Sequence, residues 1–460
     1  MERTTAMKWR RVPTCVWAIT LCLGSLCADA FGAGASLPAA LQEIQALYDK
    51  KDYAKVLEQI GALHGEKSGA PEIRRMKIRS LLGLGNPKGA LEEYDRLEQV
   101  LKQDDMPLLR EVALGFILVM VKDMREQMRG AAYTALKEIE SDEVIPYFED
   151  GLSDGSGPVR ALAVEGLGRW ETGRRSAKLR SALDDQAGLV KARVVKVLGR
   201  SSDPSVVPLL EAASKDELNA VRIAAYGSLL KLGHKEAWQP LRQAAEAPNP
   251  EDRAEAIRVM ADVKDPRAAE LMVDLLSHKQ PSLRGTAARG LGHLGKREAR
   301  EKIEALLGDP VPAVRESAAA GLAELGGGES VGAVTRALND GHYTVRAASA
   351  AALLQLGQPF GTVAQTLRSL AQQNDTAPRA AAAHALGKAT KANAEGAIAL
   401  LEALAADPLP GPKIVALRSL GHIGDSALIP LLKGSLHDDN EAVRATAAGA
   451  MIRLMSAKSR

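Results

Sequence analysis

The chain has 460 residues, of which 46% are hydrophobic, 25% are charged and only 3% are aromatic. This composition excludes a wholly disordered chain, and the scarcity of aromatic residues indicates a core built from Ala, Leu, Val and Ile. The formal net charge of +3 argues against a dedicated nucleic-acid binder, so we expect no nucleic-acid partner.

The first 30 residues are typical of a secretory signal peptide. Lys8, Arg10 and Arg11 precede an apolar stretch at residues 16–26, which is shorter than the roughly 20 helical residues needed to cross a bilayer. Ala28-Asp29-Ala30 then supplies small residues of the kind a signal peptidase accepts. An uncleaved membrane anchor is the alternative.

Cleavage after residue 30 would remove all three cysteines and leave a nearly neutral chain. A chain without cysteine suits an oxidising compartment and excludes disulfides and Cys-ligated zinc. Cys27 also allows a lipoprotein signal, although Leu26 stands where such a signal has a small residue. We expect an exported protein of the periplasm or cell envelope, with no stable membrane insertion after signal cleavage.

Residues 36–105 predict two helical hairpins. Apolar residues at helical spacing occupy residues 41–48, 53–60, 73–82 and 88–100. The segment Leu81-Leu82-Gly83-Leu84-Gly85-Asn86, followed by Ala90 and Tyr94, resembles part of a tetratricopeptide repeat. Asp52-Tyr53-Ala54 with Leu57 carries a similar likeness. The resemblance implies at most two such units ahead of a different array.

A repeat of about 31 residues fills the remainder, residues 107–460. A basic residue recurs at a spacing of 31, lengthened to 33 and 34 at two places, and Leu or Met follows seven positions later. The basic anchors are Arg129, Arg160, Lys191, Arg222, Arg253, Arg284, Arg315, Arg346, Arg379, Lys413 and Arg444. A second amphipathic segment separates successive anchors. Each of the eleven repeats is therefore predicted to be a pair of antiparallel helices that buries its apolar faces against its neighbours.

Two other positions of the repeat carry a structural meaning. Three residues after the anchor stands Ala or Ser in ten of eleven repeats, so the anchor helices are expected to approach closely. Six residues before the anchor stands Asp in eight repeats. Such an Asp either caps the following helix or pairs with the anchor of a neighbouring repeat, which would give a ladder of ion pairs along the stack.

The Asp…Val-Arg…Ala…Leu-Gly pattern resembles the HEAT-repeat family, in the short form related to phycobilin lyases. Clear copies contain Val314-Arg315, Val345-Arg346 and Val443-Arg444. The resemblance implies an all-α fold, a solenoid of stacked helix pairs whose anchor helices line the concave surface. It specifies the fold and not the function, because the motif residues themselves are structural.

The sequence offers no constellation of catalytic residues. It contains no His-Glu dipeptide, no His-Glu-x-x-His zinc helix, no Gly-x-Ser-x-Gly elbow and no phosphate-binding P-loop. We therefore predict no enzyme activity, no cofactor and no metal site. The alternative is an enzyme or enzyme subunit of the phycobilin-lyase kind that handles a tetrapyrrole or similar ligand.

Positions five and nine residues after each anchor share one helical face, which the resemblance places on the concave surface. Across eleven repeats these 22 positions hold nine Lys or Arg and four acidic residues. The candidate partner-binding residues are Lys196, Arg200, Lys231, Arg258 and Arg289. The leading hypothesis is a non-catalytic exported scaffold that binds a partner protein through this basic face. An ordinary solvated helix face is the alternative.

Overall fold

The computed structural model describes residues 39–63 and 69–457, so the predicted signal peptide lies outside the described residues. This part of the chain forms 27 α-helices and no β-strand, which confirms the predicted all-α solenoid. The first helices are α1 (Ala39–Asp49), α2 (Tyr53–Gly61), α3 (Pro71–Gly83), α4 (Pro87–Leu101), α5 (Met106–Met120), α6 (Glu126–Leu136), α7 (Ile145–Gly151), α8 (Gly157–Leu167), α9 (Glu171–Arg174), α10 (Ala177–Ser181), α11 (Gly188–Leu198), α12 (Val207–Ala213) and α13 (Asn219–Lys231).

The second half of the chain continues the same alternation of shorter and longer helices. Its helices are α14 (Trp238–Ala244), α15 (Pro250–Val263), α16 (Ala268–Leu275), α17 (Pro281–His293), α18 (Arg300–Ala305), α19 (Pro312–Leu325), α20 (Val331–Arg336), α21 (Tyr343–Gln355), α22 (Phe360–Ala371), α23 (Thr376–Leu386), α24 (Ala394–Ala405), α25 (Pro410–Ile423), α26 (Ile429–Gly434) and α27 (Glu441–Ala457). Short 3₁₀ turns, such as Pro204–Val206 and Leu306–Gly308, extend several of the shorter helices.

Helices α1 to α4 form two hairpins at the start of the described chain. They have a small core of their own, made by Ile44, Val56, Ile60 and Ile73. Helix α4 packs against α5, so this front end leads directly into the repeats. Whether it is related to tetratricopeptide repeats stays a prediction.

From α5 onward, each unit consists of an outer helix followed by an inner helix that carries the basic anchor. Every inner helix packs against the inner helix of the next unit. The residues three and seven places after the anchor are buried, as Ala318 (0% exposed) and Leu322 (1% exposed) show. One continuous core extends from Ile78 to Leu454, because no unit buries its apolar faces alone.

The predicted ladder of ion pairs is present along the stack. In the rung between Arg284 and Asp309, Nε and Nη2 donate to the two carboxylate oxygens at 2.7 and 2.9 Å. Each such Asp also accepts a hydrogen bond from the backbone N–H two residues later, as Asp309 does from Val311 at 2.9 Å. The Asp therefore shapes the turn before the inner helix and is not itself the N-cap. The seven rungs are Arg129–Asp154, Arg160–Asp185, Lys191–Asp216, Arg284–Asp309, Arg315–Asp340, Arg379–Asp407 and Lys413–Asp438.

The array closes on itself. The last inner helix, α27, packs against α25 and α26 on one side and against α5 and α6 of the first unit on the other. Ion pairs cross this seam, including Arg125 to Glu441 at 2.5 Å and His422 to Glu138 at 2.8 Å. The eleven inner helices thus form a closed ring, which the repeat pattern of the sequence did not predict.

Glycine permits the closest helix approaches in the ring. A Cβ atom on Gly321 would lie 2.5 Å from the carbonyl oxygen of Ala288, and one on Gly449 would lie 2.8 Å from that of Ala135. The second contact joins α27 to α6 across the seam. Gly199, at the end of α11, packs on Ser228 and has a φ of −64°.

Candidate functional site

The inner surface of the ring carries the side chains five and nine residues after each anchor. Its curvature is tight enough for side chains two units apart to meet. Lys196 on α11 donates to Glu255 on α15 at 2.5 Å, passing over α13. The residue of α13 equivalent to Lys196 is Gly227, so no side chain stands between them. All five predicted residues belong to consecutive units and lie on one arc of this surface, from α11 to α17.

Three of the five predicted residues are paired within the chain. Glu255 accepts hydrogen bonds from Lys196 and also from Arg258, whose Nη2 lies 2.6 Å away. Arg289 lies 3.7 Å from Glu316 on α19. In the absence of a partner, these ion pairs therefore neutralise part of the positive charge of the arc.

The side chains of Arg200 and Lys231 form no hydrogen bond or ion pair within the described chain. Arg200 follows the end of α11, and Lys231 is the last residue of α13. The pKa of Lys231 is lowered by desolvation among the neighbouring helices and by the positive charges of Arg200 and Lys196, while Asp262 opposes the shift. These two side chains are the cations of the arc that have no directly bonded carboxylate, although Asp262 lies near enough to act on Lys231.

Sequence reasoning missed Glu255 and Glu316. They lie two residues and one residue after their anchors, whereas the predicted face included only the fifth and ninth positions. A helical face about 100° wide also includes the first and second positions after the anchor, so the helical period of the sequence could have identified both residues. The basic excess of the inner surface is therefore smaller than predicted.

A second polar cluster lies at the seam. Glu138 accepts a hydrogen bond from His422 and lies 3.5 Å from Arg453 and 4.0 Å from Arg418. Burial alone would raise the pKa of this carboxyl, but the hydrogen bond from His422 and the charges of Arg453 and Arg418 outweigh it, so the pKa is lowered. The cluster connects α6 to α25 and α27, so we assign it to ring closure.

Among residues 39–63 and 69–457, no group of three or more His, Cys, Asp or Glu side chains is arranged to hold a metal ion. No helix within these ranges combines the length and apolar character required to cross a bilayer.

A family model for HEAT repeats matches the chain at residues 176–247, 239–323, 301–387, 331–412 and 397–460. These matches together cover residues 176–460, more than half of the sequence. The chain belongs to the HEAT-repeat family. No curated protein matched the sequence.

Several solved structures are similar to this HEAT-repeat protein at low sequence identity. The complex of CpcE and CpcF of phycocyanin lyase from Nostoc sp. is 21% identical, with 55% of this chain and 96% of that chain covered and a TM-score of 0.35. Human deoxyhypusine hydroxylase is 19% identical, with 55% and 98% covered and a TM-score of 0.29. Kap95p, from its structure with RanGDP, is 12% identical, with 90% and 64% covered and a TM-score of 0.36.

Proposed function

We propose that this HEAT-repeat protein is an exported, non-catalytic scaffold whose inner ring surface binds an acidic segment of a partner protein. The observation that carries the proposal is the pair of cations without an ion-paired carboxylate, Arg200 and Lys231, on the arc from α11 to α17. Lys196, Arg258 and Arg289 surround them and can exchange their internal carboxylates for those of a partner.

The size of the opening favours a single segment as the partner. Eleven helices spaced about 9 Å apart enclose an opening of about 20 Å once the helix diameter is subtracted. An extended chain or one α-helix of about 10–12 Å diameter fits this space. A folded domain would meet only the rim.

A neutralising double variant tests the binding surface. We expect Arg200→Gln with Lys231→Gln to weaken capture of the partner in pull-downs from envelope extract, and the remaining binding to depend less on salt. Lys215→Gln with Lys235→Gln is the matched control, because both lysines are exposed and neither lies at an inner-surface position. Equal capture by the two double variants would refute binding at this arc.

Export and the absence of catalysis are separate parts of the proposal. Export predicts a mature protein that begins near Phe31, which mass spectrometry of the envelope fraction would detect. An intact N-terminus on a cytosolic protein would contradict it. Incubation with haem and with bilins, followed by absorbance, tests the alternative of a tetrapyrrole-handling protein. Saturable binding with a spectral shift would favour that alternative.

A further inference from the structure

The ladder of ion pairs is interrupted beside Arg253. Eight anchor arginines donate from Nη1 to the backbone carbonyl six residues earlier, as Arg284 does to His278 at 2.8 Å. Arg253 does not. Within the described residues its guanidinium makes no hydrogen bond or ion pair, and its Nε is buried without a partner.

The residue in the place of the missing Asp explains why Arg253 has no ion pair. His278 stands where the other rungs have a carboxylate. Its Nδ1 accepts the hydrogen bond from the backbone N–H of Gln280 at 3.0 Å, so it shapes the turn as Asp does. Its pKa is lowered by desolvation and by the charges of Arg253, Lys279 and Arg284. An imidazole carries no negative charge in either its neutral or its protonated state, so His278 supplies no counter-charge to Arg253.

The other acidic residues near this turn do not compensate. Glu251 and Asp252 belong to the first turn of α15, but Asp252 accepts a hydrogen bond from Asn219 at 2.6 Å, and neither pairs with Arg253. In the preceding repeat Ala247 replaces the Asp, and Arg222 donates instead to Asn219. Two successive rungs thus lack a carboxylate, and Lys279 adds a further positive charge at the edge of the gap.

We propose that Arg253 is a binding site for a carboxylate side chain of an acidic peptide segment, which supplies the missing counter-charge from outside. Because His278 occupies the place of the rung carboxylate and Nε is buried, Nη1 and Nη2 are the nitrogens that Arg253 can offer to the two oxygens of such a carboxylate. Bidentate pairing with Arg selects a carboxylate over a neutral amide. Arg253 is only partly buried, so its outer nitrogens are within reach of a ligand.

The site is on the rim where the inner helices begin, and it does not depend on the inner-surface cations. It can therefore be tested separately from the proposed function. Helices α15 and α17 both start at this rim, and their N-terminal ends add positive potential around Arg253. An acidic segment entering the ring from this side would meet Arg253 before it meets Arg258.

Binding of a fluorescent hexaglutamate peptide, measured by anisotropy at two salt concentrations with hexaglutamine as the reference, tests the site. His278→Asp supplies the missing carboxylate from within the chain. It should weaken hexaglutamate binding by about tenfold, the loss expected for one charged hydrogen-bonding partner, and raise the melting temperature by about 2 °C. Gln243→Asp is the control, since it adds the same charge at an exposed position on α14 and should change neither quantity.

Arg253→Gln is the second variant, and it decides the matter if His278→Asp does not raise the melting temperature. It removes the guanidinium, so it should weaken hexaglutamate binding. The inner-surface double variant, Arg200→Gln with Lys231→Gln, leaves Arg253 intact and should keep the part of hexaglutamate binding that Arg253 supplies. Unchanged affinity in both His278→Asp and Arg253→Gln would overturn the proposal. If His278→Asp and Arg253→Gln weaken hexaglutamate binding while the inner-surface double variant captures the partner as well as the parent does, the rim site is supported and the inner-surface function is refuted.

Discussion

Replacing Gly449 by Ala tests whether the ring is closed, because the expected change in stability has opposite signs in closed and open forms. In the closed ring the new methyl group would lie 2.8 Å from the carbonyl oxygen and 3.2 Å from the Cα atom of Ala135. Both are backbone atoms, so α27 would have to move away from α6. Overpacking of this kind costs about 1–3 kcal/mol.

In an open array Gly449 would face no helix, and Ala is the better helix former by about 1 kcal/mol. The closed ring therefore predicts a net loss of up to about 2 kcal/mol, whereas an open array predicts a gain of about 1 kcal/mol. A Cβ atom on Gly411 in α25 would meet no neighbouring atom within 4 Å, so Gly411→Ala should stabilise the protein and serves as the control.

Urea unfolding followed by far-ultraviolet circular dichroism measures the two changes, and small-angle scattering reports the radius of gyration. We expect Gly449→Ala to lower the urea midpoint and to enlarge the particle. Stabilisation equal to that of Gly411→Ala, with an unchanged radius, would refute the closed seam.

Three further predictions concern the repeat unit. Asp309→Asn should lower the free energy of unfolding by about 2–4 kcal/mol, because it leaves the nearly buried guanidinium of Arg284 without its counter-charge. The control, Glu246→Gln, breaks an exposed pair and should lower it by less than about 1 kcal/mol in the same urea titration. The hydrogen bonds from Arg284 lower the pKa of Asp309, so its contribution is complete above the ordinary aspartate pKa of about 3.9 and is lost as pH falls through the folded value. The urea midpoint of the parent should consequently fall more steeply below about pH 4 than that of Asp309→Asn, and parallel curves would contradict this. Ala318→Leu should destabilise by about 1–3 kcal/mol through overpacking, while Ala313→Leu, exposed on the same helix, should be nearly neutral; equal midpoints would contradict the assigned faces.

The period of the sequence predicted the repeat unit because local rules determine it. Ala at the third position and Leu at the seventh lie on one helical face, whatever the neighbouring repeats do. The Asp row predicted the ladder, since an Asp one turn before an anchor helix lies beside the previous anchor. His278 and Ala247 interrupt the row visibly, but only the structure shows that one of the two guanidiniums is left alone.

Ring closure could not be predicted from the period. It depends on a rotation of about 33° per unit, which arises from small packing differences between successive helices. A signal existed in α27, where Val443, Ala447, Met451 and Ile452 are buried around most of the helix. A terminal repeat of an open solenoid has a polar outer face. The apolar residues on nearly all sides of α27 therefore indicated that another helix packs against it. The positive charge of the inner surface was overestimated for a related reason. The prediction counted only the fifth and ninth positions after each anchor, whereas the ring also exposes the first and second positions, where Glu316 and Glu255 lie.

The seam has a consequence for how the protein is made. In an open array each new repeat can settle on its predecessor during synthesis, and the first repeat is finished early. Here the surface of α5 and α6 that receives α27 stays uncovered until α27 emerges, more than 300 positions later. Both edges of the unfinished crescent expose apolar surface throughout that interval. A premature stop within the repeat that contains α27 would leave an exposed apolar surface at each end of an otherwise complete array. These two surfaces could then pair with a second copy of the protein.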